Sequence, residues 1–158
     1  MPTIHPALLF DGDAEEALEY YSSIFENAVV SDLNRYADNA PYPSGTLLAA
    51  TLTLEGLSFT LIKGPDVPFT DAVSFMVSVD GQDEIDRYWN ALTAEGEENW
   101  CGWLRDRWGL AWQIVPKQLP ALIGGLDPAK AQAAMQSMMT MKKIVLADLQ
   151  AAADGAGA

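Results

Sequence analysis

Apolar and polar positions follow two periods along the chain, and each period predicts a kind of element. "TIHPALLF" (3–10) is mostly apolar and reads as a strand. "DGD" follows as a turn, and Asp13 with Glu16 three residues later predicts a capping box at a helix start. In "AEEALEYYSSIF", Ala14, Ala17, Leu18, Tyr21, Ile24 and Phe25 fall on one helical stripe. "AVVSDLNRY" reads as a strand and "ADNAPYPSG" as a loop dense in breakers. "TLLAATLTL", the "EG" turn and "LSFTLIKG" predict a hairpin.

After "GPDVPFTD" the pattern returns. "AVSFMVSV" (72–79) reads as a strand, "DG" as a turn, and "QDEIDRYWNALTAEG" as a helix with Ile85, Tyr88, Trp89 and Leu92 on one face. "EENWCGWL" follows, then "RDRWG" as a turn and "LAWQIVP" as a last strand ended by Pro116, so that about three strands come after the helix. Glu16 matches Glu84, Tyr20 matches Tyr88, Tyr21 matches Trp89 and Ile24 matches Leu92, each pair 68 residues apart. The Asp-Gly turns match at an offset of 69. This predicts an internal duplication. The expected fold class is α+β, with residues 1–66 as a first βαβββ module, 67–116 as a second, and 117–158 as a helical tail, all in one structural domain.

In the tail, "KQLPALIGGL" reads as a turn-rich link. Asp127 with Pro128 behind it is a helix start. "AKAQAAMQSMMTM" and "KKIVLADLQAAA" read as two helices joined near Met141–Lys143, before a frayed end of small residues. Met135, Met138, Met139 and Met141 concentrate adaptable apolar side chains there. They read as packing on the body or across a dimer; the rival reading is a lid or a partner groove.

Charge narrows the partners. Nine Lys+Arg stand against 22 Asp+Glu, a net charge of −13. Such a surface repels phosphate backbones and anionic membranes, so neither nucleic acid nor a membrane is an expected partner. An anionic substrate would need a local positive spot, for which Arg35, Lys63, Arg87, Arg105 and Arg107 are the candidates before the tail. No apolar run approaches membrane-spanning length. The opening "MPTIHPALLFDGD" lacks a basic stretch, and the chain has one cysteine. Together these lead to an expected cytoplasmic location.

The βαβββ pattern, "LLFDGDAEEALEYYSSIF", "AVSFMVSVDGQDEIDRYWNAL", "CGWLRDRWGLAWQIVP" and "DPAKAQAAMQSMMTMKKI" resemble PhnB-like proteins. That subgroup, often labelled 3-demethylubiquinone 3-methyltransferase-like, belongs to the vicinal oxygen chelate superfamily with the glyoxalases, bleomycin-resistance proteins and extradiol dioxygenases. The resemblance implies a glyoxalase/bleomycin-resistance-like fold, a curved cup-like mixed sheet from two paired modules, a cavity and a homodimer. Enzymes of the superfamily hold a metal through His, Gln and Glu on inward strand faces. Matched onto this sequence, those positions carry His5, Ser74 and Gln113. Ser74 stands where a His is expected and Gln113 where a Glu is expected. One imidazole with two neutral oxygens is too weak a donor set for a divalent ion. No metal and no cofactor are therefore expected. A methyltransferase's Gly-rich turn after the first strand is also missing from "FDGD".

Strand parity places His5, Ala7 and Leu9 on one face, and Ser74, Met76 and Ser78 on one face. Ala111, Gln113 and Val115 oppose Leu110, Trp112 and Ile114. The small and polar faces should line the cavity, with Trp112 in the core. Gln113 reads equally as a cavity-facing polar group or as a structural amide. His5 reads as satisfied by backbone or as a site residue. Trp100, Trp103 and Trp108 could wall a flat ligand or serve as packing, and Arg35 could reach the cavity mouth. Cys101 reads as an inert thiol, and Arg105-Asp106-Arg107 as a turn with surface pairs of small weight. The ligand-binding candidates are thus His5, Ser74, Gln113, Trp103 and Arg35. The leading expectation is a dimer that binds a small organic molecule. The rivals are an enzyme of the same fold (glyoxalase-, lyase- or transferase-like) and an interaction protein using its Met-rich tail.

Overall fold

The computed structural model describes residues 1–12 and 14–157. It divides into two compact units, Met1–Pro68 and Phe69–Ala158. In the first, β1 (Ala7–Phe10) is followed by α1 (Ala14–Ile24), β2 (Val29–Arg35), β3 (Leu47–Leu54) and β4 (Leu57–Lys63). The sheet order is β1-β4-β3-β2, with β1 parallel to β4 and the other pairs antiparallel. In the second unit come β5 (Ser74–Val79), α2 (Gln82–Thr93), β6 (Glu97–Glu98), β7 (Trp103–Arg105) and β8 (Ala111–Pro116). Their order is β5-β8-β7-β6 with the same senses of pairing. Each unit therefore has the same βαβββ wiring, and the fold class is α+β.

Local chemistry accounts for the turns. Glu55 and Gly56 both take positive φ, 46° and 91°, between β3 and β4. That combination suits a two-residue hairpin whose twist matches the strands. Asn27 holds the Glu55 carboxylate through its side-chain amide at 3.0 and 3.2 Å. The expected Asp13 cap lies outside the described residues. In the second unit Glu84, in the first turn of α2, reaches back to accept the Asp80 N–H at 2.8 Å, one residue before the Gly81 N-cap.

Each helix covers one face of its own sheet. α1 packs on β3 and β4, and its Ala17, Leu18, Tyr21 and Ile24 are buried, as are Phe10, Leu52, Phe59 and Leu61 on the strands. α2 packs on β7 and β8, where Ile85, Trp89 and Leu92 are buried, as are Leu104, Trp112 and Ile114. Burying one such large side chain contributes roughly 1.5–3 kcal/mol over leaving it exposed. The opposite faces mix small and polar residues with a few apolar ones. Thr60, Ile62, Thr51 and Ala49 are half-buried there in the first sheet, and Ser74 and Gln113 in the second.

Within "EENWCGWL" Cys101 and Gly102 both take positive φ, 60° and 82°, and turn the chain between β6 and β7. Three local readings of the sequence are corrected. The link after Pro116 contains a short helix, α3 (Leu119–Gly124). Gly155 and Ala156 near the end belong to α5 (Leu146–Ala156), which packs on α4 (Pro128–Met138). Asp106 is no surface residue. It is 3% exposed and accepts from the Trp108 and Leu110 amides and from Trp112 Nε1, at 3.0, 3.1 and 2.9 Å.

The tail is held to its unit by polar groups as well as packing. Asp127 caps α4 by accepting the Ala129 and Lys130 amides. Gln82 at the start of α2 donates to the Ile144 carbonyl and accepts the Leu146 N–H, at 3.0 and 2.9 Å. Lys143 pairs with Asp86 at 2.8 Å. The Cys101 and Gly102 amides donate to the Met141 and Lys142 carbonyls, both at 2.8 Å. Of the four tail methionines, Met138 is buried and Met139 is exposed, while Met135 and Met141 are half-buried.

Replacing Asp106 by Ala strands two amides and an indole N–H. Denaturant unfolding should show a loss of about 2–4 kcal/mol, with Asn recovering part of it. The tail clamp should depend on pH. Hydrogen bonds from Lys143 and then Gln82 hold the Asp86 carboxyl below its ordinary value. A depressed carboxylate adds stability above its unfolded pKa and loses it as pH falls through the folded one. The melting temperature of wild type should exceed that of Asp86→Asn near neutrality, and the gap should close on acidification below the ordinary aspartate range.

Candidate functional site

β8 is the central strand from which the second unit's polar face is built. Its register sets Gln113 beside Met76 of β5 on one side and Trp103 of β7 on the other. Gln113 Nε2 donates to Ser74 Oγ at 2.9 Å. The Ser74 hydroxyl proton and Gln113 Oε1 are left for other partners. Met76 is 60% exposed beside them, and Trp103 is half-buried. Trp112, one residue away, points to the helix side, where it meets Phe75 edge-on at 5.3 Å. One polar pair, one flexible thioether and one indole thus share an uncovered patch.

The turn before Trp103 is fixed sterically. A Cβ on Gly102 would meet the Ile114 carbonyl oxygen at 2.9 Å and Ile144 Cγ1 at 3.0 Å. Gly102 also accepts the Ile114 N–H at 2.8 Å. Only glycine fits this left-handed position, so the residues carrying Trp103 are set by backbone contact. Of the other proposed wall residues, Trp100 is 54% exposed with Lys142 over its ring at 5.6 Å, and Trp108 lies under the Arg107 guanidinium at 4.6 Å. Neither indole is on the β8 register that joins Trp103 to Gln113.

His5 belongs to the first unit. Its Nε2 stands 3.0 Å from the Thr60 hydroxyl, and the Thr60 amide donates to the Pro6 carbonyl. The partner is thus a side chain rather than the backbone. Thr60 could not be chosen from sequence, because the parallel register of β1 on β4 selects it. Arg35 forks onto Glu15 at 2.9 and 2.5 Å and donates to the Gly45 carbonyl. These hydrogen bonds hold the Glu15 carboxyl below, and the Arg35 guanidinium above, their ordinary values. Arg105 likewise forks onto Asp71 at 2.9 and 2.7 Å, and Arg107 pairs with Glu95 at 3.1 Å. These pairs border a cavity of about 670 Å³ in the second unit.

The donors present do not fit a divalent ion. His5 is engaged with Thr60, and Ser74 and Gln113 bond to each other as neutral groups. Such an ion is bound by imidazole, thiolate or carboxylate groups that offset its lost hydration. Among the described residues, no three His, Cys, Asp or Glu side chains are grouped to hold one. No helix among them is long and apolar enough to cross a membrane.

Comparison with known proteins gives these features a family. Residues 2–115 match the family described as 3-demethylubiquinone-9 3-methyltransferase. The solved PhnB protein of Bacillus cereus is 32% identical over 73% of this chain and 99% of its own, with a TM-score of 0.66. A Pseudomonas aeruginosa protein is 22% identical over 73% of this chain and 98% of its own, at 0.61. The fosfomycin resistance protein FosX of Listeria monocytogenes shares the fold at 14% identity, over 72% of this chain and 89% of its own, at 0.55. No curated protein matches. The family match ends at residue 115, so α3, α4 and α5 lie outside it. On the matched residues and the repeated βαβββ wiring, the chain belongs to the 3-demethylubiquinone-9 3-methyltransferase family, the PhnB-like group of the vicinal oxygen chelate superfamily.

Proposed function

We propose that the protein is a homodimer that binds a small, partly apolar organic molecule on its uncovered sheet surface, with no transition metal at His5, Ser74 and Gln113. The observation that carries this reading is the Gln113–Ser74 pair beside exposed Met76 and half-buried Trp103. A polar pair with one donor and one acceptor to spare can orient a ligand, while Met and Trp supply apolar contact. The exposed Val29, Val30 and Leu33 on edge strand β2 support self-association, because an open edge with apolar side chains needs cover.

Among the described residues, the family's methyltransferase description finds no matching cofactor site. A methyl-donor nucleoside is usually held by a Gly-rich turn between a strand and a helix in a doubly wound parallel sheet. Here β1 runs into Asp11-Gly12, and each sheet has one parallel and two antiparallel pairs. Ligand orientation by Gln113 is the chemistry these residues offer.

Thermal-shift screening of small amides, alcohols and carboxylic acids with apolar bodies tests this. At ten times Kd a ligand should add roughly 1.4 kcal/mol, raising the melting temperature by about 3–6 °C. Gln113→Leu should fold and melt like wild type yet lose or alter those shifts. Unchanged shifts would remove Gln113 from the site. Metal analysis of protein purified without chelator should find far less than one ion per chain. Stoichiometric metal that disappears in His5→Ala would overturn the metal-free reading. Light scattering should give twice the 17.1 kDa chain mass.

A further inference from the structure

A second cavity, of about 470 Å³, opens within the first unit, at the end of the sheet. Gly12, Glu15, Tyr42, Pro43, Thr46 and Lys63 line it. Lys63 pairs with Phe10 in the register, so parity puts it on the opposite face of the sheet from Thr60 and Ile62. This cavity is therefore on the other side of the first sheet from the face that carries Thr60 and Ile62.

Its charge is unusual for so acidic a chain. Arg35, Arg105, Arg107, Lys117 and Lys143 each have a carboxylate partner. No such pair is found for Lys63 among the described residues. Its ammonium lies 4.6 Å from the centre of the Tyr42 ring and donates to the Gly12 carbonyl. These contacts fix the ammonium without neutralising it. Among the described residues Glu15 is the one carboxylate that lines the cavity, and the Arg35 fork offsets its charge. Asp11 is exposed and does not line the space. Lys63 is therefore the lining cation that no carboxylate pairs with among the described residues. The Thr46 hydroxyl is a further donor, and Tyr42 and Pro43 form an apolar rim.

We propose that this cavity binds a small aliphatic carboxylate, with the carboxylate on Lys63 and the hydrocarbon against Tyr42 and Pro43. An ammonium already oriented by a carbonyl and a ring loses little freedom when it takes an oxyanion. The aromatic and proline rim favours a ligand with a hydrocarbon body over a bare inorganic anion.

The test is an amide NMR titration of the full chain with sodium butyrate, with sodium chloride and inorganic phosphate as separate arms at matched ionic strength. Butyrate should give saturating shifts confined to Gly12, Glu15, Tyr42, Gly45, Thr46 and Lys63, with Kd on the order of 1–10 mM. Lys63→Met keeps the stem and should weaken binding at least tenfold (~1.4 kcal/mol). Tyr42→Leu keeps the charge and should weaken it by a smaller factor, which covers the case of a Lys63→Met variant that fails to fold. Lys142→Met should leave binding unchanged. Shifts that do not saturate, that chloride reproduces, or that survive both the Lys63 and Tyr42 changes would overturn the site. Phosphate binding as tight as butyrate would overturn the aliphatic assignment.

Discussion

One constraint governs both units: a four-stranded sheet with a single crossover helix can cover only one of its faces. The parallel pairing of β1 with β4, and of β5 with β8, requires the chain to cross over between them. The helix made in that crossover takes the large apolar side chains, Tyr21 and Phe59 in one unit and Trp89 and Trp112 in the other. The opposite face keeps Thr, Ser, Ala and Gln beside a few apolar residues, Ile62, Met76 and Trp103. Gln113 and Ser74 sit beside each other there because β5 pairs with β8, although 39 residues separate them in the chain. The candidate site is thus a consequence of how each sheet buries its core.

The distribution of charge follows a second rule. With a net charge of −13, cations that meet local carboxylates are neutralised in place. Arg35, Arg105 and Arg107 are held in this way. Pairs this exposed contribute little stability in water. Their larger effect is to offset positive charge where it stands on an acidic surface.

The tail follows different physics from the family core. α4 and α5 pack on each other, and the segment between them is pinned by backbone and amide hydrogen bonds to the Cys101–Gly102 turn and to Gln82. Met138 is buried within this arrangement and Met139 is left out of it. The tail therefore supports the turn that precedes Trp103. Asp106 does comparable work on the next turn, where one carboxylate satisfies two amides and the buried Trp112 indole.

The sequence alone determined the elements whose cause is local. Hydrophobic period predicted both helices and the hairpin, the Glu55-Gly56 turn was legible from its composition, and the matched spacing of Glu16 with Glu84 and Tyr21 with Trp89 exposed the repeat. Parity put Trp112 in the core and Gln113 on the polar face. What it could not determine depended on register and on distant partners. The left-handed turn within "EENWCGWL" depends on the approach of Gly102 to Ile114 and Ile144, a contact no local window contains. Asp106 looked like a turn residue between two arginines, and only folding brings Trp112 Nε1 onto it. His5 finds Thr60 across 55 residues, and Arg35 is claimed by Glu15 across 20. Local patterns fix which face a side chain takes, because they set backbone geometry. Tertiary structure decides its partner, because strand pairing joins residues that the chain keeps apart.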